Sequence, residues 1–311
     1  MSPAGEGVEV TPNRPRNFLV TDATKPYTFQ YLEYGKPVEI TVAQTADEET
    51  WPGGALWDIG ILLSHFLVAL AGFQPSTVTK DVKAPARLLE AVPSTKNLTV
   101  LELGCGVGLT GIVAAAVLGT HLTILTDLDV VVNKVARPNV EMNSTAPVAA
   151  NKNHSKDGPP YRLTKAGKRG RILALPLCWG KEEDEEIVMN CFMKNTKTEK
   201  TPRKRKGAPP TKDSRQPDLI IIGDVAYQHK PGAPSHFDSL LSTVLKFWGS
   251  HTLVIFGTRM RMPASADLLS LFLEHMEEVT VPPIRADEID LSFNKFKHQI
   301  TIHVLRKKRV T

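Results

Sequence analysis

Val100-Leu101-Glu102-Leu103-Gly104-Cys105-Gly106-Val107-Gly108-Leu109-Thr110-Gly111 is the stretch that decides the fold. An apolar run holding one glutamate leads into a glycine-rich turn, and Ile112-Val113-Ala114-Ala115-Ala116-Val117-Leu118 follows as a small-residue helix. The apolar run reads as a strand buried on both faces. Gly104, Gly106 and Gly108 have no Cβ, so the turn can take backbone angles closed to other residues and lie directly against a ligand. A strand, a glycine turn and a helix in that order read as a nucleotide-type cofactor site.

The same alternation continues outward. Strand 99–103 precedes helix 109–118, strand 122–126 precedes helix 130–143, and strand 171–176 precedes an acidic helix over 182–193. Strand 218–222 precedes helix 235–248, and strand 252–256 precedes helix 264–276. Two late strands, near 279–281 and 300–305, have no helical pattern between them, so an antiparallel hairpin is expected there. Alternating βα units predict a doubly wound, mostly parallel sheet with helices on both faces. Upstream, Tyr27–Tyr31 and Val38–Val42 alternate apolar and polar residues around Glu33-Tyr34-Gly35-Lys36, which predicts an N-terminal β-hairpin. Trp51-Pro52-Gly53-Gly54 is a breaker cluster, and the helix from Leu56 to Leu70 is apolar nearly all round and hence buried.

The bulk numbers bound the rest. The chain has 311 residues, 41% of them hydrophobic, with a net charge of +5. One α/β domain over 26–311, with the hairpin at 26–50 and a loose polar segment at 1–25, is favoured over two domains. Two basic, proline-bearing inserts, 144–170 and 195–216, lack periodicity and are expected to be disordered. Pro202-Arg203-Lys204-Arg205-Lys206 matches a localisation or nucleic-acid patch, but a solvated insertion is the favoured reading. Glu182–Glu186 is expected to help start its helix, where negative charge meets the dipole favourably. Three cysteines at no metal-ligand spacing argue against both a disulfide framework and a metal site, and suit reduced thiols in cytosol or nucleus. The first residues carry no basic and apolar signal pattern, and the longest apolar stretch falls short of the roughly 20 residues a spanning helix needs.

Two cofactors fit the glycine turn. Gly106-x-Gly108-x-x-Gly111, with Asp127 at about the expected 20 residues on, matches a dinucleotide fingerprint. Glu102, Gly104, Gly106 and Gly108 match the acidic-x-Gly-x-Gly-x-Gly motif of S-adenosylmethionine (SAM) enzymes. SAM has no phosphate, and its ammonium suits a carboxylate such as Glu102 at the strand tip. SAM ranks first, a dinucleotide second, and a turn with no ligand third.

Open parallel sheets bind ligands beyond the carboxyl ends of their strands. Asp127 ends the second strand and can accept hydrogen bonds from ribose hydroxyls, with Asp129 expected to cap the next helix. Trp179 follows the third strand, where it can pack on a base or simply in the core. Trp57 opens the buried helix with the same ambiguity, and Asp58 beside it can cap or face water. Gly223, Asp224 and Tyr227 follow the fourth strand, where a reacting amine would lie. Asp224 could align an amine and Tyr227 wall its channel; alternatively the two cap and pack the next helix.

Taken together these residues resemble the seven-β-strand, non-SET protein-lysine methyltransferases, methyltransferase family 16. The resemblance spans roughly Tyr27 to Lys307. It rests on Gly54-Ala55-Leu56-Trp57-Asp58, Leu101–Gly108, Thr126-Asp127-Leu128, Asn139-Val140-Glu141-Met142-Asn143, Cys178-Trp179-Gly180 and Asp218–Tyr227. It implies a Rossmann-like fold of seven strands with the last antiparallel, and SAM as cofactor. It implies cofactor contacts from Trp57, Gly104, Gly106, Asp127, Trp179 and Gly223, to which the motif turn itself adds Glu102, Cys105 and Gly108 as candidates. Asp224 and Tyr227 would frame the target lysine of a protein substrate such as a chaperone or translation factor. Gly223 stands where the family commonly has alanine, and the two inserts are longer than compact members need. The alternatives are a SAM enzyme acting on a nucleic-acid or small-molecule amine, a SAM-binding scaffold without catalysis, and an NAD oxidoreductase. Val225-Ala226, where base-modifying enzymes place two prolines, speaks against a flipped base. No ordered proton-donor set supports the oxidoreductase. The expected protein is a cytoplasmic or nuclear monomer that engages neither membrane nor nucleic acid.

Overall fold

The computed structural model describes residues 21–75, 98–145, 162–163, 170–196, 216–226, 236–259, 263–279, 284–285 and 300–308. Residues 1–20, most of the insert 144–170 and nearly all of 195–216 lie outside them, as does Tyr227. Thr21–Lys25 are tied to the body: Thr21 Oγ1 donates to Gln44 Oε1 at 3.1 Å, and Gln44 Nε2 donates to the Lys25 carbonyl at 2.9 Å.

Strands β1 (Tyr27–Glu33) and β2 (Lys36–Val42) pair antiparallel, closed by Tyr34 and Gly35 at φ 50° and 76°. Two consecutive positive φ angles give a turn whose twist matches that of the strands it joins. Phe29, Tyr31, Ile40 and Val42 are buried, so the alternation read from sequence points its apolar face inward. A two-residue strand unforeseen in the sequence, β3 (Gln74–Pro75), pairs with the other edge of β1. Helix α1 (Asp58–Leu70) buries every residue except Gly60.

The main sheet is built from β4 (Thr99–Leu103), β5 (Leu122–Asp127), β8 (Arg171–Pro176), β9 (Leu219–Gly223), β10 (Leu253–Arg259), β11 (Met276–Glu278) and β13 (Ile300–Lys307). Its order is β11-β13-β10-β9-β4-β5-β8, and the two-residue β12 (Ile284–Arg285) pairs with β13 beside this path. Neighbours from β8 to β10 are parallel, while β13 runs antiparallel to β10 and to β11. This is the expected seven-stranded Rossmann-like sheet with its last strand reversed. Chain order reverses between β5-β4 and β9, so the crevice for a ligand opens at the tips of β4 and β9.

Helices α2 (Leu109–Leu118), α3 (Asp129–Val131), α4 (Arg137–Met142), α5 (Glu182–Thr196), α6 (Phe237–Phe247) and α7 (Pro263–His275) complete the layers. Leu219 and Ile221 join a core with α1 and α2, while Ile220 and Ile222 join one with α5, α6 and α7. Alternate residues of one strand thus feed two cores, which is why the strand is apolar throughout.

Three expectations are corrected. The helix over 130–143 is not one helix: a π-turn, Val132–Ala136, separates α3 from α4. Pro138 has no N–H and would clash with the carbonyl four residues back, and the wider turn relieves this, with Arg137 N donating to the Val132 carbonyl. Asp129 is not the cap; it is the first helical residue, and its Oδ1 accepts from Asn133 Nδ2 at 2.9 Å. The first late strand begins earlier than expected, at Met276, because α7 runs straight into β11 through buried Met276; Val279 N still donates to the Val304 carbonyl at 2.7 Å, and 280–281 lie outside the described residues. The acidic start of α5 is as expected, and buried Glu185 accepts from Thr243 Oγ1 at 2.7 Å and Lys246 Nζ at 2.9 Å. The short strands β6 (Ser144–Thr145) and β7 (Arg162–Leu163) pair across the first insert.

Asn139 and Asn143, one turn apart on α4 and its end, act as a substitute strand beside β2. Asn143 Oδ1 accepts from Thr41 N at 3.3 Å and its Nδ2 donates to the Thr41 carbonyl at 2.7 Å. Asn139 repeats the pair on Ala43, at 2.7 and 3.0 Å, and also donates to the Val107 carbonyl at 2.9 Å. Fully buried Asn139 therefore joins the hairpin to the glycine turn. Removing a partner that leaves buried backbone groups unsatisfied is expensive. Asn139→Ala is expected to cost about 3 kcal/mol in urea unfolding, and half-buried Asn143→Ala about 1 kcal/mol.

Candidate functional site

The glycine turn connects β4 to α2 at the crevice. Gly104 and Gly106 sit at φ 70° and 52°. A Cβ on Gly104 would lie 2.9 Å from Val225 Cγ1 and 3.3 Å from Trp179 Cζ2; one on Gly106 would lie 3.1 Å from the Gly53 carbonyl. Both positions are therefore closed to side chains by geometry and by backbone angle. Gly111 has a different reason: a Cβ there would lie 2.5 Å from Glu102 Oε2. The third glycine of the dinucleotide pattern is thus explained by an internal carboxyl, which accepts the Gly111 N–H at 2.9 Å.

Glu102 is 5% exposed. Burial pushes its carboxyl up to about 8, with the Gly111 N–H opposing and Asp127 adding to the rise. Asp127 Oδ2 accepts the Gly106 N–H and Oδ1 the Leu128 N–H, each at 2.8 Å. Loss of solvation raises its carboxyl above the ordinary range against those two donors. It is therefore engaged with the turn as well as exposed to the cavity. Cys105 is buried, and loss of solvation followed by the charges of Asp127 and Glu102 pushes its thiol well up. Its burial therefore favours the protonated thiol over the reactive thiolate.

At the tip of β9, Asp224 holds φ 44°, a left-handed conformation uncommon outside glycine, asparagine and aspartate. Its N–H donates to the Gly257 carbonyl at 3.0 Å, which continues the β9–β10 ladder one residue past the strand. A Cβ on Gly223 would lie 3.1 Å from Leu63 Cδ1, so glycine here matches the bulk of Leu63 on α1.

These elements enclose a cavity of about 450 Å³. Trp57, Glu102, Gly104, Cys105, Gly106, Asp127, Trp179, Gly223 and Asp224 all line it, so the structure brings nearly every expected site residue to one place. Gly108 is the exception: it does not line the cavity, and its bare Cα packs against Leu125 as the residue preceding α2. Tyr227 lies outside the described residues. Trp179 packs on the α5–α7 core while lining the cavity, so its two readings are compatible. Asp58 neither faces water nor lines the cavity; it is fully buried and paired with Arg259.

The sequence reading missed the roof. Glu48 to Gly53 cover the glycine turn, with Gly53 packed between Gly106 and Val131. Trp51 and Trp57 rings stand 5.9 Å apart, and Trp57 Nε1 donates to the Pro52 carbonyl at 3.1 Å. Glu49 is tied to Lys134 beyond the rim. The Trp51-Pro52-Gly53-Gly54 breaker was the available signal, but a loop without periodicity does not reveal what it covers. His236 and Phe237 also line the cavity.

The lining holds five carboxyl groups, Glu48, Glu49, Glu102, Asp127 and Asp224, and no lysine or arginine among the described residues. Such a wall suits a cationic ligand. SAM carries a sulfonium and an ammonium and no phosphate, and the backbone of Gly104 and Gly106 lines the cavity beside these carboxyls, so the residues fit it.

Residues 36–156 match the model of a family described as lysine methyltransferases, methyltransferase family 16. No curated protein matches the chain. Among solved structures, a precorrin-6y C5,15-methyltransferase from Geobacter metallireducens aligns at 10% identity, over 75% of this chain and 91% of its own, with a TM-score of 0.39. A TehB-like SAM-dependent methyltransferase from Corynebacterium glutamicum aligns at 14% identity, over 72% and 86%, with a TM-score of 0.36. The family match and the cavity agree on SAM as the cofactor and on methyl transfer as the chemistry.

The displaced titration of Glu102 has a measurable consequence. The folded protein holds this proton more tightly than the unfolded chain does, so the associated stability is complete below about pH 4.5 and is lost as pH rises toward about 8. Measured against Glu102→Gln by urea unfolding, wild type is expected to weaken across that window by up to about 1.4 kcal/mol per pH unit. A flat difference would contradict the assignment.

Proposed function

We propose that this chain, a SAM-dependent methyltransferase, delivers the methyl group to the ε-amine of a lysine in a protein substrate. The observation that carries this reading is the acidic lining of the cavity: five carboxyl groups and no described lysine or arginine, with Glu102 held protonated by burial and Glu49 offset by Lys134, so that Glu48, Asp127 and Asp224, at the tip of β9 beside the glycine turn, are left to face a cation. A polyanion such as nucleic acid would be repelled there, whereas a lysine side chain is attracted.

When bound, the cofactor supplies an electrophilic methyl group on a positively charged sulfur. The protein's task is to bind, orient and deprotonate. Gly104 and Gly106 let the backbone approach, Asp127 offers ribose an acceptor, and Trp57 and Trp179 provide apolar walls. Asp224 receives the lysine. A free lysine amine has a pKa of about 10.4, so it arrives protonated and must lose a proton before its lone pair can attack. The Asp224 carboxylate accepts a hydrogen bond from the amine, aligns it and helps pass the proton outward. Tyr227 is proposed as the further wall of this channel. Asp224 would thereby hold a neutral nitrogen toward the methyl group that the bound cofactor supplies, the amine's proton having already passed to solvent. Reduced cysteines in cytosol or nucleus and a monomeric protein belong to the same proposal.

Calorimetry is expected to show binding of S-adenosylhomocysteine and none of NAD. Asp224→Ala is expected to keep that affinity within about threefold while losing about 100-fold or more of label transfer from SAM to lysines of a cell lysate. Full activity in that variant, or label on nucleic acid in place of lysine, would overturn the proposal.

A further inference from the structure

The buried pair Asp58–Arg259 has no part in the reading above. Asp58 is the first residue of α1 and Arg259 the last of β10; their side chains are 0% and 2% exposed. On β10, Leu253, Ile255, Gly257 and Arg259 share the face toward α1: a Cβ on Gly257 would lie 2.8 Å from Ile59 Cγ2. Arg259 thus reaches the start of α1 at the same edge of the sheet as the cavity.

Burying an ion pair is a poor way to gain stability, because desolvation consumes most of the attraction; its best-attested use is to select one register among packings of similar energy. Helix α1 presents that problem. Its sequence, Asp58-Ile59-Gly60-Ile61-Leu62-Leu63-Ser64-His65-Phe66-Leu67-Val68-Ala69-Leu70, holds one acidic residue and no lysine or arginine. Ile59 and Leu63 fill the notches left by Gly223 and Gly257. They are four residues apart, so a slip of one turn would put leucine where isoleucine sits and preserve the apolar contact. Packing alone discriminates weakly between those registers, whereas the ion pair exists in only one. That register decides where Trp57, Ile59 and Gly60 stand in the cavity wall that they share with Asp224.

We infer that Arg259, acting through Asp58, is a positioning residue that sets the register of α1 and so the shape of the cofactor site. The inference rests on the methyltransferase reading. It is tested on the full chain by thermal melting together with calorimetric titration of S-adenosylhomocysteine. The double variant Asp58→Leu/Arg259→Met is expected to melt within about 5 °C of wild type, since an apolar pair can replace a buried ionic one without loss. Its affinity is nevertheless expected to fall at least tenfold. A folded double variant with wild-type affinity overturns the inference alone, while a wild-type chain that takes up no S-adenosylhomocysteine overturns the cofactor reading as well. Should the double variant not fold, Arg259→Lys decides against Arg259→Gln. Affinity at least threefold tighter in the variant that keeps the cation supports the inference, and equal affinity overturns it.

Discussion

The Asp127 carboxylate accepting the Gly106 N–H is the interaction on which the site depends. It ties the tip of β5 to the glycine turn leaving β4, and Cys105 N donating to the Thr126 carbonyl closes the same junction. Without this link, a turn of left-handed glycines would have many conformations to choose among. With it, one carboxylate stands at the mouth of the crevice while Glu102 stands behind the turn on the Gly111 N–H. Both carboxyls are disfavoured in their charged form by lost solvation. A cation entering the cavity relieves that cost and an anion increases it. The site is biased toward positively charged ligands before any ligand arrives.

The same turn is held from above. Asn139 joins Val107 to Ala43. Two residues on, Thr45 N donates to the Gly54 carbonyl, and the Gly53 carbonyl rests over Gly106. The N-terminal hairpin is therefore structural support for the roof rather than an appendage: β2 enters the roof loop, and the two asparagines pair its outer backbone groups as a neighbouring strand would. This accounts for amides, with one donor and one acceptor each, at positions 139 and 143.

The βα alternation was legible because buried parallel strands are apolar at every position and bounded by turn residues. The stretches Thr99–Leu103, Leu109–Leu118 and Arg171–Pro176 could be read to the residue. The strand-tip rule then located Asp127, Trp179 and Asp224 without any knowledge of contacts. What remained hidden depends on partners distant in sequence. Gly108 has the same letter as Gly104, but only packing shows that it faces Leu125 and not the cavity. Asp58 looked like a helix-start residue until Arg259 arrived from another strand. The π-turn was foreshadowed by Pro138, yet the apolar spacing on either side was regular enough to read as continuous helix.

The two halves of the site are also in direct contact. Val225, 8% exposed, follows Asp224 and packs into the α5–α7 core with Ala226, while its Cγ1 fills the space a Gly104 side chain would need. The turn that would hold the cofactor and the turn that would hold the amine therefore rest on one another through an apolar contact, not through a flexible linker. Methyl transfer demands such rigidity, because an in-line approach tolerates little misplacement of the acceptor atom relative to the methyl carbon. The left-handed Asp224 backbone fits this account. A strained residue persists where its surroundings over-determine it, and here the Gly257 carbonyl holds its N–H on one side while buried Val225 anchors the chain on the other. Strain at Asp224 and the absence of a side chain at Gly104 are thus two consequences of one requirement, that the tips of β4 and β9 meet closely enough to present both reactants to each other.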